Sequence, residues 1–420
     1  MSWKPAWSAV LTSSATVHAS VTNLCLHRTH ATISVLVPSA ADLTQERGTP
    51  TEETATRPDQ IERVSTLELF FDLVFVFTIT QLTRLLVHDP DLLHLLRVAV
   101  LLAIIFWMYG GYAWLTNAVA ADTAARRLVL LGGMAGFLLV SLTLPEAFDG
   151  GGLAFGLAYA VVVLVHIGLF TRTQRVRSAS DLVRVGLINV AGTVLILVGG
   201  ALGGVTQLVL WILVPLVWWL VSPYRAFSGG FEIGAAHFVE RHGLVLIIAI
   251  GESLVALALG LSELELGPSV AAVAVLGLAL SACLWWTYFG GDDTLAERAL
   301  SGAPPELRSQ MSIQAFGHAD LGLLLGVIAI AAGLEAGAHD PFHSLDLGHS
   351  AAIGGGAALY LVSDAWFRQR LRIGRPGPRA FAALPALATI AVGLWAAAAQ
   401  VVALVLVFVA LFAYESRRGK

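Results

Sequence analysis

The residues best placed to do chemistry in this chain are carboxylates set where water is scarce. LELFFDLVFVFTITQL, residues 67–82, holds Glu68 and Asp72 four apart in an otherwise apolar run. On a helix that spacing puts both on one face. A carboxylate at mid-bilayer costs about 2.5–3.5 kcal/mol on insertion scales, so each needs a partner or a purpose. VSTLE sets Ser65 three residues before Glu68, the pattern of a capping box. Asp72 lies too deep to cap and has Phe70, Phe71, Phe75 and Phe77 around it. It reads either as a buried tie to an arginine or backbone group of another helix, or as a carboxylate that handles a proton or cation.

A second cluster stands in HFVERHGLVLIIAIGESLV, residues 237–255. His237, Glu240, Arg241 and His242 crowd a helix start. They read as an interfacial anchor, with Arg241 snorkelling and Glu240 paired to it or to His237, or as a site for a phosphate headgroup. Glu252 follows three turns later, close to mid-membrane. Gly251 and Ser253 beside it are small enough to admit a second helix. Glu252 is the first choice for a functional carboxylate and the expected counterpart of Asp72. FGHADLGLLLG, residues 316–326, adds His318 and Asp320, two apart and so on different helix faces. Histidine titrates near neutral pH, which places His318 on a proton path with Glu252. Asn189 and Asp364 are further polar residues in apolar runs. Asp72, Glu252, His318, Asn189 and Asp364 are expected between the cytoplasmic interface and the midplane. Trp107, Trp285, Trp286 and Tyr288 read as aromatics of the membrane interface.

These residues need long helices to hold them. The chain is 57% hydrophobic and 13% charged over 420 residues, far from the soluble norm of about 25% charged. From residue 67 onward apolar stretches recur at lengths that suit a ~30 Å hydrocarbon core. Twelve spans are expected: 67–87, 92–115, 125–144, 152–171, 182–201, 205–222, 242–261, 269–290, 312–334, 350–368, 380–396 and 399–415. The fold class is therefore all-α, a polytopic membrane helix bundle. The last pair is the least marked, with a turn near Gln400 and neither Gly nor Pro to signal it.

Charge referees the count. Of the 25 Lys and Arg, 23 fall in the N-terminal arm, the even-numbered connections and the C-terminal tail. The odd connections carry acids and histidines instead, as in EAGAHDPFHSLDLGH. Only Arg84 and Arg97 break the pattern. By the positive-inside rule both termini are cytoplasmic. Residues 1–63 are polar and broken, and read as a disordered cytoplasmic arm or as a start extended beyond the native one. The rest divides into membrane halves 64–240 and 241–420. A Trp follows Asp72 by 35 residues (Trp107) and Glu252 by 34 (Trp286). That leaves open two parallel six-helix repeats, or a chance match of interface aromatics.

VSTLELFFDLVFVFTITQL and HFVERHGLVLIIAIGESLV resemble the two signatures of the bacterial low temperature requirement protein A (LtrA) family, and LWWTYFGGDD resembles the helix end that follows the second. The resemblance runs from about residue 64 to the C-terminus. It carries Glu68, Asp72, Glu240, Arg241, Glu252, Trp286 and His318 over as family residues. FGHADLG departs from the family pattern, which has an aromatic or Tyr-Val pair ahead of the histidine. The family is named for growth in the cold, which implies no substrate or reaction.

Several classes are excluded or disfavoured by what is absent. No GxxxxGK[ST] is present for ATP, no HExxH, and the two cysteines are 258 positions apart. Net charge is −4 with no basic face, so nucleic acid is not a partner. No cofactor or metal is expected, and no catalytic motif points to an enzyme. The partners expected are the lipid bilayer and a small solute or ion. The leading reading is a secondary transporter coupled to protons. The alternatives are a lipid-modifying membrane enzyme and a non-transporting protein of cold adaptation.

Overall fold

Inside lipid each backbone N–H and C=O must find its partner within the protein, so apolar runs of this length become helices. The computed structural model describes residues 64–118, 123–170, 179–225 and 234–418, and among them there is no strand. Expectations for residues 1–63 lie outside the described residues. The first six helices are α1 Thr66–His88, α2 Leu92–Ala118, α3 Ala124–Thr143, α4 Gly152–Phe170, α5 Ala179–Leu202 and α6 Gly204–Arg225. Then come α7 Ala235–Leu261, α8 Pro268–Phe289, and two short helices, α9 Asp292–Gly302 and α10 Pro305–Ser312. A π-helical stretch, Ile313–Ala319, leads into α11 Asp320–His339. The chain ends with α12 Leu347–Leu371, α13 Pro376–Gly393 and α14 Ala397–Arg417. The expected spans fall on the long helices, except that 312–334 runs from the end of α10 through the π-helical stretch into α11. Among the described residues nine helical stretches, against the twelve spans expected, are long and apolar enough to cross a membrane by length and composition.

Local signals account for many of the ends. Ser65 caps α1: its Oγ accepts from Glu68 N, and its N donates to Glu68 Oε2 at 2.8 Å. This is the capping box that VSTLE predicts. Thr123 caps α3 and Asp346 caps α12. Pro268 and Pro376 open α8 and α13, where no backbone donor is lost. The last pair turns at residues 394–396, ahead of Gln400, which lies buried within α14. Gly393 marks the turn after all. A Cβ there would sit 2.0 Å from Gln400 Oε1, and the same Gln400 donates to Ser350 O at 2.8 Å.

The core is built around α11. Within its apolar window 72% is buried, against 28% for α5, so α11 is an interior helix and α5 a lipid-facing one. Gly326 of α11 meets Gly356 of α12, each within 2.7 Å of the other's carbonyl were a Cβ added. Small residues at such crossings let backbones pack by van der Waals contact where no hydrophobic drive exists. Gly251 takes no part in close packing, since a Cβ there would meet nothing within 4 Å. Its neighbour Ser253 does, bonding Ser281 of α8 at 2.9 Å.

Candidate functional site

Two helices carry the expected carboxylates, and they run parallel. Glu68 of α1 pairs with His237 of α7 at 3.0 Å. Four residues on, Asp72 pairs with Arg241 at 2.9 Å, both fully buried. Two turns further, Thr80 donates to Glu252 at 2.9 Å. Positions 68, 72 and 80 share one face of α1, as 237, 241 and 252 share one face of α7. The result is a ladder of three polar rungs up one helix seam.

The sequence reading is corrected here in three places. Asp72 takes Arg241 as its partner, not Glu252. The eight residues from Asp72 to Thr80 separate the two carboxylate rungs by roughly 12 Å of helix rise. Glu252 is also closer to the acidic-loop end of the bundle than to the basic end: it lies 17 residues into α7 and 9 from its finish. Arg241 does not snorkel. It is inside, over the rings of Phe71 and Tyr109 at 5.7 Å each. Glu240 pairs with neither Arg241 nor His237; it is exposed and, among the described residues, accepts from Val64 N at 3.4 Å.

The Asp72 rung is the most elaborate. Tyr109 of α2 donates to Asp72 Oδ1 at 2.9 Å. Arg241 spends one nitrogen on Oδ2, and its Nε and Nη2 are buried without a hydrogen-bond partner among the described residues. A buried guanidinium with idle donors is unusual, because such groups are normally satisfied. Phe71 and Phe75 pack on Tyr109 at 5.8 and 4.6 Å, which keeps this rung dry.

A cavity of about 100 Å³ opens beside it, between helices of both halves. Phe106, Trp107 and Gly111 of α2, Asn189 of α5, and Phe238 and His242 of α7 form much of its wall, with Ser312 and Phe316 closing it. Trp107 Nε1 donates to Asn189 Oδ1 at 2.9 Å and stacks on Trp218. His242 Nδ1 meets Phe238 O at 2.9 Å. The cavity touches the ion pair through rings: Tyr109 stacks on Phe106 at 5.8 Å and meets His242 edge-on at 6.4 Å.

The remaining expected residues scatter. His318 sits in the π-helical stretch, with Nδ1 3.2 Å from Ile313 O. Its neighbour Phe316 packs on His242, ten residues before Glu252 on α7, so about 15 Å separates that level from Glu252. Asp320 is buried with Oδ1 unpartnered among the described residues. Trp285 and Trp286 are exposed, as interface aromatics should be, but Tyr288 is fully buried and Trp107 is half-buried in the cavity wall.

A second charge cluster went unforeseen. Arg368 of α12 grips Asp292 with two bonds, 2.6 and 2.9 Å, and Glu415 at 2.8 Å. Arg379 of α13 binds Asp364 at 2.5 Å, Asp292 at 3.0 Å, Glu415 at 3.2 Å and Thr287 O at 2.8 Å. Five groups from α9, α12, α13 and α14 are knotted together. Asp364 belongs here, not with the α1–α7 ladder. Read as loop charge, both arginines looked solvated. The available signal was that Arg379 lies three residues into an apolar helix.

The family model for the bacterial low temperature requirement A protein (LtrA) matches residues 63–414. The chain belongs to the LtrA family. It is also 26% identical over 318 residues to the uncharacterized protein RA0937 of Rhizobium meliloti (strain 1021), covering 72% of this chain and 76% of that one. Family and apolar helices together make this LtrA-family chain a multi-pass membrane protein.

Proposed function

We propose that this LtrA-family protein is a proton-coupled permease of the bacterial inner membrane, with both termini cytoplasmic. One observation carries the reading. The cavity between the halves shares its ring wall with the buried Asp72–Arg241 pair, so an occupant and the pair's charge state are physically coupled. A proton on Asp72 removes the one carboxylate paired with Arg241 among the described residues and leaves that guanidinium to seek another acceptor. Transporters with paired halves hold substrate at such a junction. The mainly aromatic wall, with Asn189 and His242 at its edge, suits a small, largely apolar solute carrying one polar group.

No chemical step is assigned. The headgroup-binding enzyme reading loses its support with Arg241 and His242 buried. A cold-adaptation protein without transport predicts no flux at all.

The test is reconstitution in liposomes with a pH-sensitive dye inside. An imposed pH gradient, or a panel of small aromatic and aliphatic solutes, should drive flux that falls at least tenfold in Asp72→Asn. Absence of flux across the whole panel, or flux equal in wild type and Asp72→Asn, overturns the reading.

A further inference from the structure

The charge pattern of the chain has two exceptions, Arg84 and Arg97, and the fold brings both to one place. They line a single pocket of about 380 Å³ at the acidic-loop end of the bundle, formed by the end of α1, the start of α2 and residues 144–149 after α3. By sequence position the other 23 basic residues fall in the N-terminal arm, the even-numbered connections and the C-terminal tail, so convergence of the two strays on one pocket calls for a cause. Neither has a carboxylate within 4 Å among the described residues. Arg97 is held over the face of Phe148, at 5.2 Å, and its Nε is buried without a hydrogen-bond partner among the described residues. An arginine clamped on a ring with no carboxylate beside it among the described residues is prearranged for an oxyanion, which a guanidinium can bind through two parallel N–H bonds.

The rest of the lining narrows the ligand. Asp89 and Asp149 are exposed on the same pocket. Together with Glu252 and Glu335, within electrostatic reach of Arg84, they offset the two arginines, which counts against a polyanion. Leu85, Val98, Leu144 and Phe148 supply apolar wall. We propose that this pocket binds a small organic monocarboxylate, its carboxylate between Arg84 and Arg97 and its hydrocarbon body against Phe148. The proposal concerns equilibrium binding and stands apart from transport, so it can succeed where the permease reading fails, and the reverse.

The experiment is calorimetric titration of the full chain in phosphatidylcholine nanodiscs with benzoate and butyrate, and with butylamine and inorganic phosphate as controls. Saturable binding of a carboxylate is expected, weakened at least tenfold in Arg97→Gln and in Arg84→Gln, and unchanged in Arg298→Gln, which removes one positive charge elsewhere. Arg84 is exposed, so its variant keeps the test readable if Arg97→Gln disturbs packing on Phe148. The proposal is overturned if neither carboxylate binds, if the Arg84→Gln/Arg97→Gln double variant binds as wild type, or if phosphate or butylamine binds more tightly. Binding lost in phosphatidylglycerol nanodiscs overturns it too, since that assigns the pocket to a lipid headgroup.

Discussion

The α1–α7 ladder and the α9–α12–α13–α14 knot are both built from buried arginine and carboxylate, yet they are wired differently. In the knot, two arginines meet three carboxylates, and Arg379 alone makes bonds to four other residues. On the ladder Arg241 has one carboxylate, two idle nitrogens and a cavity next door. Multiple bonds fix a geometry, because Asp292 and Glu415 are each held by both arginines. A single bond with spare donors can be exchanged for another. The first arrangement suits joining helix ends, the second suits changing state.

That contrast breaks most sharply at Arg379. Arg379→Gln strands Asp364 in a buried site while Asp292 keeps Arg368, and loss of one partner of a buried pair costs about 3–5 kcal/mol. A fall in melting temperature in detergent, with little folded protein recovered, is the expected outcome. A melt within a degree or two of wild type would show that the knot does not join the helix ends.

On the ladder, Arg241→Gln and Asp72→Asn should each destabilise by a comparable few kcal/mol, since each leaves a buried partner uncompensated. The double variant Asp72→Asn/Arg241→Gln should recover part of the Arg241→Gln loss. Coupling between contacting residues runs at about 0.5–3 kcal/mol, and a double-mutant cycle by chemical unfolding measures it. Additive losses would mean the two groups do not depend on each other.

Glu252→Gln removes less. Among the described residues its one side-chain hydrogen bond is from Thr80, so a stability change of about 0.5–1.5 kcal/mol is expected, with proton flux reduced and solute binding retained. Equal stability losses in Glu252→Gln and Arg379→Gln would erase the distinction between rung and knot.

The smallest effect lies away from both. Asp346→Ala deletes the N-cap of α12 and its bond to His349, at about 1 kcal/mol. Partial burial pushes the Asp346 carboxyl up, but hydrogen bonds from His349 outweigh it and hold it below the ordinary range. A depressed carboxyl stabilises the fold above its unfolded pKa and loses that contribution as pH falls through the folded one. The difference between Asp346→Ala and wild type should therefore shrink below about pH 4, as read from melts across that range.

Much of this architecture is legible from local chemistry. Apolar length, the alternation of arginine-rich connections and the Ser65–Glu68 box place the helices and one cap, because each signal is contained in a few consecutive residues. Partners are not legible that way. Asp72 finds Arg241 169 positions away, a choice made by packing of α1 on α7. Arg368 and Arg379 sit beside polar connections, where charge normally meets water, and only folding shows that they turn inward. The turn after α13 was misplaced by a few residues because Gly393 is required by a contact with Gln400, not by its own backbone angles.

The even spacing of the ladder has a mechanical consequence. Glu68 and Asp72 are one helical turn apart, and so are His237 and Arg241. If α1 slides against α7 by one turn, about 6 Å, Glu68 arrives beside Arg241 and a carboxylate again faces a cation. A slide of half a turn leaves both unmatched. The seam therefore behaves like a detent, with rest positions one notch apart and a barrier between them.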